Sequence, residues 1–424
     1  MARRLIDDCF LHDKDRLRHH EALNILRERL SPVVGRETVG LAQATGRVSA
    51  AEILATELVP PTDNAAVDGY AFAHGDFEPL EGLFPVSARI AAGGPLDGTL
   101  AAGSAARIFT GGVMPTGADT VAMQEDCEEV QRDGSTLVRI PPGLKHGANR
   151  RRAGEDVQPG MALVQNGDRL RPQDVSAIAS VGHARVDVFR PVRVGVVSTG
   201  DEIVAPGEPL KPGQIYNSNK PLLTGLLCSL PVELTDLGIW ADDQGLVTES
   251  LSEAAKQFDI VLTTGGASRG EEDHLITAVD RLGTRHLWQL AIKPGRPMGF
   301  GQIGDSVILN LPGNPVAVFV CFLLYCRPAI LALGGAAWRE PTGFMLPAAF
   351  EIGRKKPDRR EFLRGFLVRD GATAVGANKF ARDGSGLISG LRAADGLIEL
   401  PEEIEQVNEG DLVHFVPFSE FGLT

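Results

Sequence analysis

Short apolar runs and amphipathic stretches alternate along the chain between Pro191 and Pro315. Each run has the length of one buried strand, and the stretches between them show the three- and four-residue apolar spacing of a helix. The predicted strands are 192–197, 232–234, 259–262 and 306–310; the predicted helices are one capped by 216–219 and running to 227, one at 246–257 and one after Pro315. This alternation indicates helices packed on both faces of a largely parallel sheet, a three-layer αβα domain.

The rest of the chain has shorter patterns. Helical spacing is predicted for 16–30, 40–54, 149–186 and especially 172–180, and β-like runs lie at 86–90, 106–109, 120–123, 365–368 and 412–415. The second helical stretch ends at the Pro60-Pro61 break. The first group of β-like runs predicts a small β-rich module, and the runs after Gly334-Gly335 predict a C-terminal β-barrel.

These patterns predict a mixed α/β multi-domain protein with four domains. An elongated, discontinuous domain of helices and strands is expected from 1–56 and 147–190, and a small β-rich domain from 57–146. The αβα domain is expected at 191–332 and the β-barrel at 333–424.

Composition narrows the class of protein. The chain has 424 residues, of which 43% are hydrophobic, so it can bury several cores. Its formal net charge of −13 disfavours nucleic acid as a partner, because such proteins carry a basic face. Five scattered cysteines without a CxxC pair indicate reduced thiols in a cytoplasmic protein rather than a zinc site or disulfides.

No membrane partner is expected. Met1 and the two arginines that follow shortly after it lead into Asp7 and Asp8 instead of the apolar region of a signal peptide. The longest apolar run, 316–325, is interrupted by Arg327-Pro328 and is too short for a bilayer. We therefore predict a buried helix there.

Asp68 lies on a glycine-backed turn in the stretch 64–71, directly after the Pro60-Pro61 break. An Asp-Gly pair alone is usually an ordinary turn. Further glycine-rich loops carrying Asp, Glu or Lys follow, however, including 110–119 and 150–156. This recurrence indicates a site assembled from several loops.

Ligands of open parallel sheets bind beyond the carboxyl ends of the strands, so the loops 198–202, 263–273 and 310–315 are candidate binding loops. Gly265 and Gly266 allow backbone N–H groups to approach a phosphate, although a ligand-free turn remains an alternative. The loop lacks the endings typical of nucleoside triphosphate or dinucleotide sites. Carboxylates at 271–273 could hold Mg²⁺.

Lys293 and Arg296 lie on a stiff turn between two prolines. A solvated basic turn is the simpler interpretation. Apolar neighbours such as Ala291 and Met298 nevertheless indicate burial, and a buried cation requires an anionic partner.

The order of these motifs resembles the molybdopterin molybdenumtransferase family, known as MoeA and as the E domain of gephyrin. The motifs are 64–72, 107–125, 151–157, 195–202, 213–219, 259–273, 292–299 and 311–316. The match runs roughly from Ala22 to the C-terminus, and the order of eight motifs is far more specific than any one of them.

The resemblance implies that molybdenum from molybdate is inserted into adenylylated molybdopterin, giving molybdenum cofactor and AMP with Mg²⁺ or, in some systems, Zn²⁺. It implies a homodimer whose active cleft lies between the αβα molybdopterin-binding domain and the partner's β-rich domains. It further implies molybdopterin adenylyltransferase and molybdoenzyme acceptors as partners.

The resemblance also implies roles for individual residues. The implied catalytic residues are Asp68, Thr110, Asp156, Glu202, Asp243 and Asp273, with Asp242 as a neighbouring alternative to Asp243. The implied cofactor-binding residues are Gly265, Gly266, Ser268, Lys293, Arg296, Pro312, Arg360 and Ser385, and the implied metal ligands are Glu202 and Asp273.

The sequence departs from the family pattern at a few positions. The family often has Ser where Asn64 or Ala65 stands, Lys where Arg296 stands, and Ser where Ala317 stands. Arg keeps the charge but presents a different donor geometry, and Ala317 lacks a hydroxyl that could contact molybdate. A non-catalytic molybdopterin or cofactor carrier of the same fold therefore remains an alternative. A molybdopterin adenylyltransferase and a purely structural protein are more distant ones.

Overall fold

The computed structural model describes residues 16–265, 274–382 and 384–423, except for the side chains of residues 286–289. Three six-stranded sheets dominate the fold. They are connected by a region of paired short strands and two helices.

The first sheet belongs to the segment predicted as αβα. Its strands, in spatial order, are Val232–Trp240, Val192–Thr199, Ile260–Thr264, Ser306–Leu311, Pro297–Ile303 and Thr284–Gln289. The first four are parallel and the last two antiparallel, so the sheet is largely parallel, as predicted. Its surrounding helices are Asn219–Cys228, Gln244–Gln257, His274–Leu282 and the helical segment Pro315–Leu333.

Alternate residues of the central strands enter different cores. Ile260 and Leu262 pack with Leu227 and the helical segment Pro315–Leu333, whereas Val261 packs with the helices on the opposite face. Helices thus cover both faces, and the predicted three layers are present.

The helix after Pro315 continues through the predicted interruption. It consists of an α-helix Pro315–Cys321, a π-helical turn Phe322–Cys326 and an α-helix Arg327–Leu333. Pro328 is tolerated because it lies in the first turn of the last segment, directly after the wider π turn. This helix, with a mean hydropathy of 2.3, is long and apolar enough to cross a membrane, and 78% of its most apolar window is buried within the protein.

The second sheet confirms the strands predicted for the β-rich module. In spatial order they are Thr120–Met123, Gly69–Phe72, Ala105–Ile108, Leu83–Ile90, Ser135–Arg139 and Glu128–Arg132. Phe72, Phe84 and Ile108 are fully buried in this module.

The predicted helix at 40–54 is wrong. The paired strands of this region are Arg36–Gly40 with Arg185–Phe189, Ile53–Leu54 with Ala162–Val164, and Asn64–Ala65 with Arg150–Arg151. The backbone of the segment pairs with distant residues, since Leu170 N donates to Arg47 O and Ala50 N donates to Asp187 O. Its helical spacing was therefore overridden by long-range pairing. The helices of this region are His19–Arg29 and Pro172–Ser180.

The predicted C-terminal β-barrel is not confirmed. The third sheet is open, with Ile292–Lys293, Arg360–Asp370, Gly396–Leu400, Leu412–Pro417 and Phe344–Pro347 in spatial order, and Thr373–Lys379 paired with Arg360–Asp370. An isolated bridge between Ala348 and Ala377 links its outer strands without a continuous ladder. The remaining elements are the helix Ile388–Ala393, the parallel strands Ile203–Val204 and Ile215–Tyr216, and the 3-10 turns Leu41–Gln43, His74–Asp76, Gln124–Asp126 and Phe418–Phe421.

Candidate functional site

Three loops of the sequence motifs meet at one end of the β-rich sheet. Asn64–Ala65 pairs with Arg150–Arg151, and Gly111 N donates to Ala65 O over 2.9 Å. Beside this junction, the Asp68 carboxylate accepts hydrogen bonds of 2.7 Å from both the backbone N and the Oγ1 of Thr110. The structure therefore brings Asp68 and Thr110 into direct contact.

The Asp68 carboxylate is held in its ionised form. The two hydrogen bonds from Thr110 lower the pKa of Asp68 below its ordinary value, and the Arg107 guanidinium contributes in the same direction. Arg107 is itself fixed over the rings of Tyr70 and Phe109, at 4.9 and 5.2 Å from their centroids. This end of the module thus presents a positioned anion.

Asp156 lies on the adjoining loop, and its side chain is exposed. The loop is attached to the motif around Asp68 because Asp63 accepts a 2.8 Å hydrogen bond from Ala153 N. Asp156 N also donates to Val59 O over 3.0 Å. The backbone is therefore anchored while the carboxylate faces solvent.

A second group of polar residues lies at the carboxyl ends of the parallel strands. Glu202 follows the strand Val192–Thr199, and its carboxylate folds back against Gly200. A Cβ on Gly200 would lie 2.3 Å from Glu202 Oε2, and the φ of +136° is in the region that favours glycine. Glycine at this position allows the observed placement of Glu202.

The two candidate aspartates of the next loop have different surroundings. Asp243 is the N-cap of the helix Gln244–Gln257, since its Oδ1 accepts a hydrogen bond from Leu246 N. Asp242 N donates to Asp201 Oδ1 over 3.1 Å, which links the two strand-end loops. Asp243 thus has a structural role of its own, whereas Asp242 lies beside the loop that carries Glu202.

The structure adds Asn219, a buried residue that was predicted only as part of a helix cap. Its Nδ2 donates to Thr264 Oγ1 over 2.8 Å and to Gly313 O over 2.7 Å, so it joins two strand-end loops. Its Oδ1 has no partner among the described residues. A polar pair at the start of a helix in an αβα domain, Asn217 and Asn219, is the signal that could have identified it.

Gly265 marks the start of the predicted phosphate loop. A Cβ there would lie 2.5 Å from Thr199 O, and the φ of +97° likewise favours glycine. Gly266, Ser268 and Asp273 lie outside the described residues. Within the described residues, no group of three His, Cys, Asp or Glu side chains could hold a metal ion.

Four predicted binding residues line one cleft of about 420 Å³ between the first and third sheets. They are Lys293, Arg296, Pro312 and Ser385. We call this the cationic cleft, because Arg16, Arg359 and Arg364 also line it and none of its described lining residues is acidic. Ala317 belongs to its wall.

The turn that carries Lys293 and Arg296 is only partly buried. Gly295 lies against the helix, where Cys321 Sγ is 3.5 Å from Gly295 O. Lys293 is half-buried and Arg296 is exposed, so their charges face the cleft instead of the core. Both interpretations of this turn were therefore partly correct.

Arg359, and not Arg360, reaches the cationic cleft. Glu361 lies between two of its cations, with an oxygen 2.5 Å from Arg359 and the other 3.5 Å from Lys293 Nζ. The Nε of Arg359 has no partner within the described part of the chain. The sequence analysis named only Arg360 as a binding residue, and the structure places its neighbour Arg359 at this cleft.

Arg360 lines a separate cavity of about 290 Å³, which we call the paired cavity. Its guanidinium is 2.6 Å from Glu399 and 2.9 Å from Glu402. Glu399 is also 2.7 Å from His414 Nδ1. The charge of Arg360 is thus already compensated by two carboxylates.

Family models match three segments of the chain. The N-terminal region of MoeA matches residues 17–182, the probable molybdopterin-binding domain matches 195–332, and the C-terminal region of MoeA matches 348–418. The chain is 35% identical to the molybdopterin molybdenumtransferase of Haemophilus influenzae, over 94% of this chain and 98% of that protein. The chain belongs to the MoeA family.

Other members agree with this assignment. A Mycobacterium tuberculosis protein named molybdopterin molybdenumtransferase 2 is 32% identical over 88% of this chain and 93% of its own length. The crystal structure of the molybdopterin biosynthesis moeA protein of Pyrococcus horikoshii OT3 has a TM-score of 0.80 at 29% identity, and covers 95% of this chain and 100% of that one. Several relatives of this chain are named molybdopterin molybdenumtransferase, which supports a role of the chain in molybdenum cofactor biosynthesis.

Proposed function

We propose that this chain inserts molybdenum from molybdate into adenylylated molybdopterin and releases molybdenum cofactor and AMP. One observation carries the proposal: the cationic cleft and the strand-end loops share a wall. Pro312 lines the cleft, and its carbonyl oxygen is 3.2 Å from Thr264 Oγ1. An oxyanion in the cleft would lie next to a ligand bound at the strand ends.

Molybdate is a dianion, and the cationic cleft supplies complementary charge. Lys293, Arg296 and Arg359 would attract it, and Ser385 adds a hydroxyl donor at the rim. Ser385 is held in place because Val316 N donates to its carbonyl oxygen. Arg360 is assigned to stability in this proposal.

The pyrophosphate of adenylylated molybdopterin would lie at the strand ends. Gly265 and the adjoining residues Gly266 and Ser268 would supply backbone and hydroxyl donors, and Asn219 would orient the loop. The carboxylates there suit Mg²⁺, a hard cation that takes oxygen ligands and shares them with substrate phosphates. Glu202 and Asp273 would hold Mg²⁺, which would neutralise charge on the pyrophosphate. Asp242 or Asp243 would orient the Glu202 loop.

We further propose a cytoplasmic homodimer. Asp68 and Thr110 lie on loops beside strands of the β-rich sheet, and Asp156 lies on the adjoining loop after Arg150–Arg151. Glu202 instead follows a strand of the first sheet, and the cationic cleft lies between the first and third sheets. A second subunit would place its β-rich module over the strand ends and complete the site. The protein would receive its substrate from a molybdopterin adenylyltransferase and deliver cofactor to molybdoenzyme acceptors. We also propose that each subunit is divided into the four domains expected from the sequence.

AMP release tests the proposal. Purified protein with adenylylated molybdopterin, molybdate and Mg²⁺ should release AMP, and Glu202→Ala should slow release roughly tenfold or more. Glu249→Ala, which removes an exposed carboxylate from the helix Gln244–Gln257, is the matched control and should not slow it. Binding of the adenylylated ligand without AMP release by the unaltered protein would instead identify a carrier.

A further inference from the structure

Arg16 lies at the cationic cleft although it is far from the other lining residues in sequence. The adjacent residue, Leu17, forms a parallel bridge with Leu290, and Ala291 N donates to Leu17 O over 2.9 Å. Leu290 N in turn donates to Arg296 O over 3.1 Å. Backbone hydrogen bonds therefore connect the segment of Arg16 to the turn that carries the other cations.

A second anchor follows immediately. His19 is buried, and its Nδ1 is 2.7 Å from the hydroxyl of Tyr325. Its ring also meets Phe362 edge-on at 5.3 Å, and Phe362 lines the cationic cleft. Burial lowers the pKa of His19 to about 4, so the ring is neutral at neutral pH and this contact persists there. These contacts hold the backbone next to Arg16 in a fixed position at the cleft.

Lys293 and Arg359 of the cationic cleft have one carboxylate between them. Glu361 is shared between Lys293 and Arg359, and Arg364 donates to the carbonyl oxygens of Leu387 and Arg382. Arg16 is exposed and makes no hydrogen bond or ion pair with the described residues. It therefore adds a positive charge to the cleft, beside Lys293 and Arg359, which share one carboxylate.

We propose that Arg16 is an additional anion-binding residue of the cationic cleft, supplied by the segment that precedes the first helix. The proposal rests on the proposed function and extends it by one residue. Its ligand class is a small divalent oxyanion such as molybdate. An exposed guanidinium at the rim would attract this anion and contact it once it is bound.

Titration calorimetry with molybdate on the full chain tests the proposal. We expect Arg16→Gln to weaken binding roughly three- to fivefold, because an exposed charge contributes modestly. Arg16→Lys should recover most of the affinity. Arg18→Gln is the matched control, since Arg18 is exposed and lines neither the cationic cleft nor the paired cavity. It should bind molybdate like the unaltered protein.

Salt dependence gives an independent readout. Affinity of the unaltered protein should fall more steeply with added salt than that of Arg16→Gln, because one cation fewer contributes to binding. Equal affinities and equal salt dependence for Arg16→Gln and Arg18→Gln would overturn the role of Arg16 alone. Absence of molybdate binding by the folded, unaltered protein would overturn both this inference and the molybdate site of the proposed function.

Discussion

The cationic cleft and the paired cavity receive neighbouring arginines, Arg359 directly before a strand and Arg360 at its first position, but have opposite electrostatic character. Arg359 and Lys293 share a single carboxylate, Glu361, and face a cleft without acidic lining among the described residues. Arg360 alone contacts two carboxylates, Glu399 and Glu402. In the cationic cleft, the two cations share one carboxylate, so positive charge remains available to a ligand. In the paired cavity, the two carboxylates compensate the charge of Arg360.

The difference shows that an arginine's neighbours decide its role. The side chains of Arg360, Glu399 and Glu402 are 19%, 13% and 9% exposed, so their charges depend on one another. Removing one partner from such a group leaves an uncompensated charge away from water. An arginine in a cleft with few carboxylates can instead be satisfied by an arriving anion.

The largest expected effect tests the paired cavity. Arg360→Met should lower the free energy of unfolding by about 3–5 kcal/mol, because Glu399 and Glu402 lose their shared cation. Urea denaturation followed by circular dichroism measures it. Arg359→Met is the control, and its free energy of unfolding should fall far less. Equal losses from the two variants would contradict the distinction between the cavities.

A smaller effect tests the cationic cleft. Arg359→Met should weaken molybdate binding about tenfold, equivalent to about 1.4 kcal/mol, because the cleft loses one of its lining guanidinium groups. Calorimetry at fixed salt measures the dissociation constant. A folded Arg360→Met variant serves as the comparison and should bind molybdate normally; a weaker affinity for that variant alone would reverse our assignment.

The smallest effect extends the comparison to Asp68, whose carboxylate is held chiefly by neutral donors. The pKa of Asp68 is below its ordinary value. The side chain is therefore ionised above that lowered pKa and becomes protonated as the pH falls through it. Thr110→Val removes the hydroxyl donor and should raise this pKa. The acidic limb of the pH profile of AMP release should therefore move to higher pH.

Thr110→Ser is the control for that shift, because it keeps both the hydroxyl and the backbone donor. Its acidic limb should coincide with that of the unaltered protein. An unchanged limb in Thr110→Val would mean that Asp68 does not set it.

Much of the αβα domain could be predicted from local patterns. Parallel strands buried on both faces require continuous apolar runs, as in 194–197 and 260–262, and their crossover helices carry a clear 3.6-residue period. The candidate loops could also be predicted, because ligand sites of such sheets lie after the strands. Strand ends and glycine turns are local properties.

Only the tertiary structure decided which side chains share a cavity. The segment 40–54 pairs with residues distant in sequence, Asn219 joins two strand-end loops, and Arg16 reaches the cleft through a bridge to Leu290. Adjacent Arg359 and Arg360 enter different cavities, where Arg359 pairs with Glu361 and Arg360 pairs with Glu399 and Glu402. Local periodicity specifies the elements, whereas long-range packing and charge pairing specify the partners of each side chain.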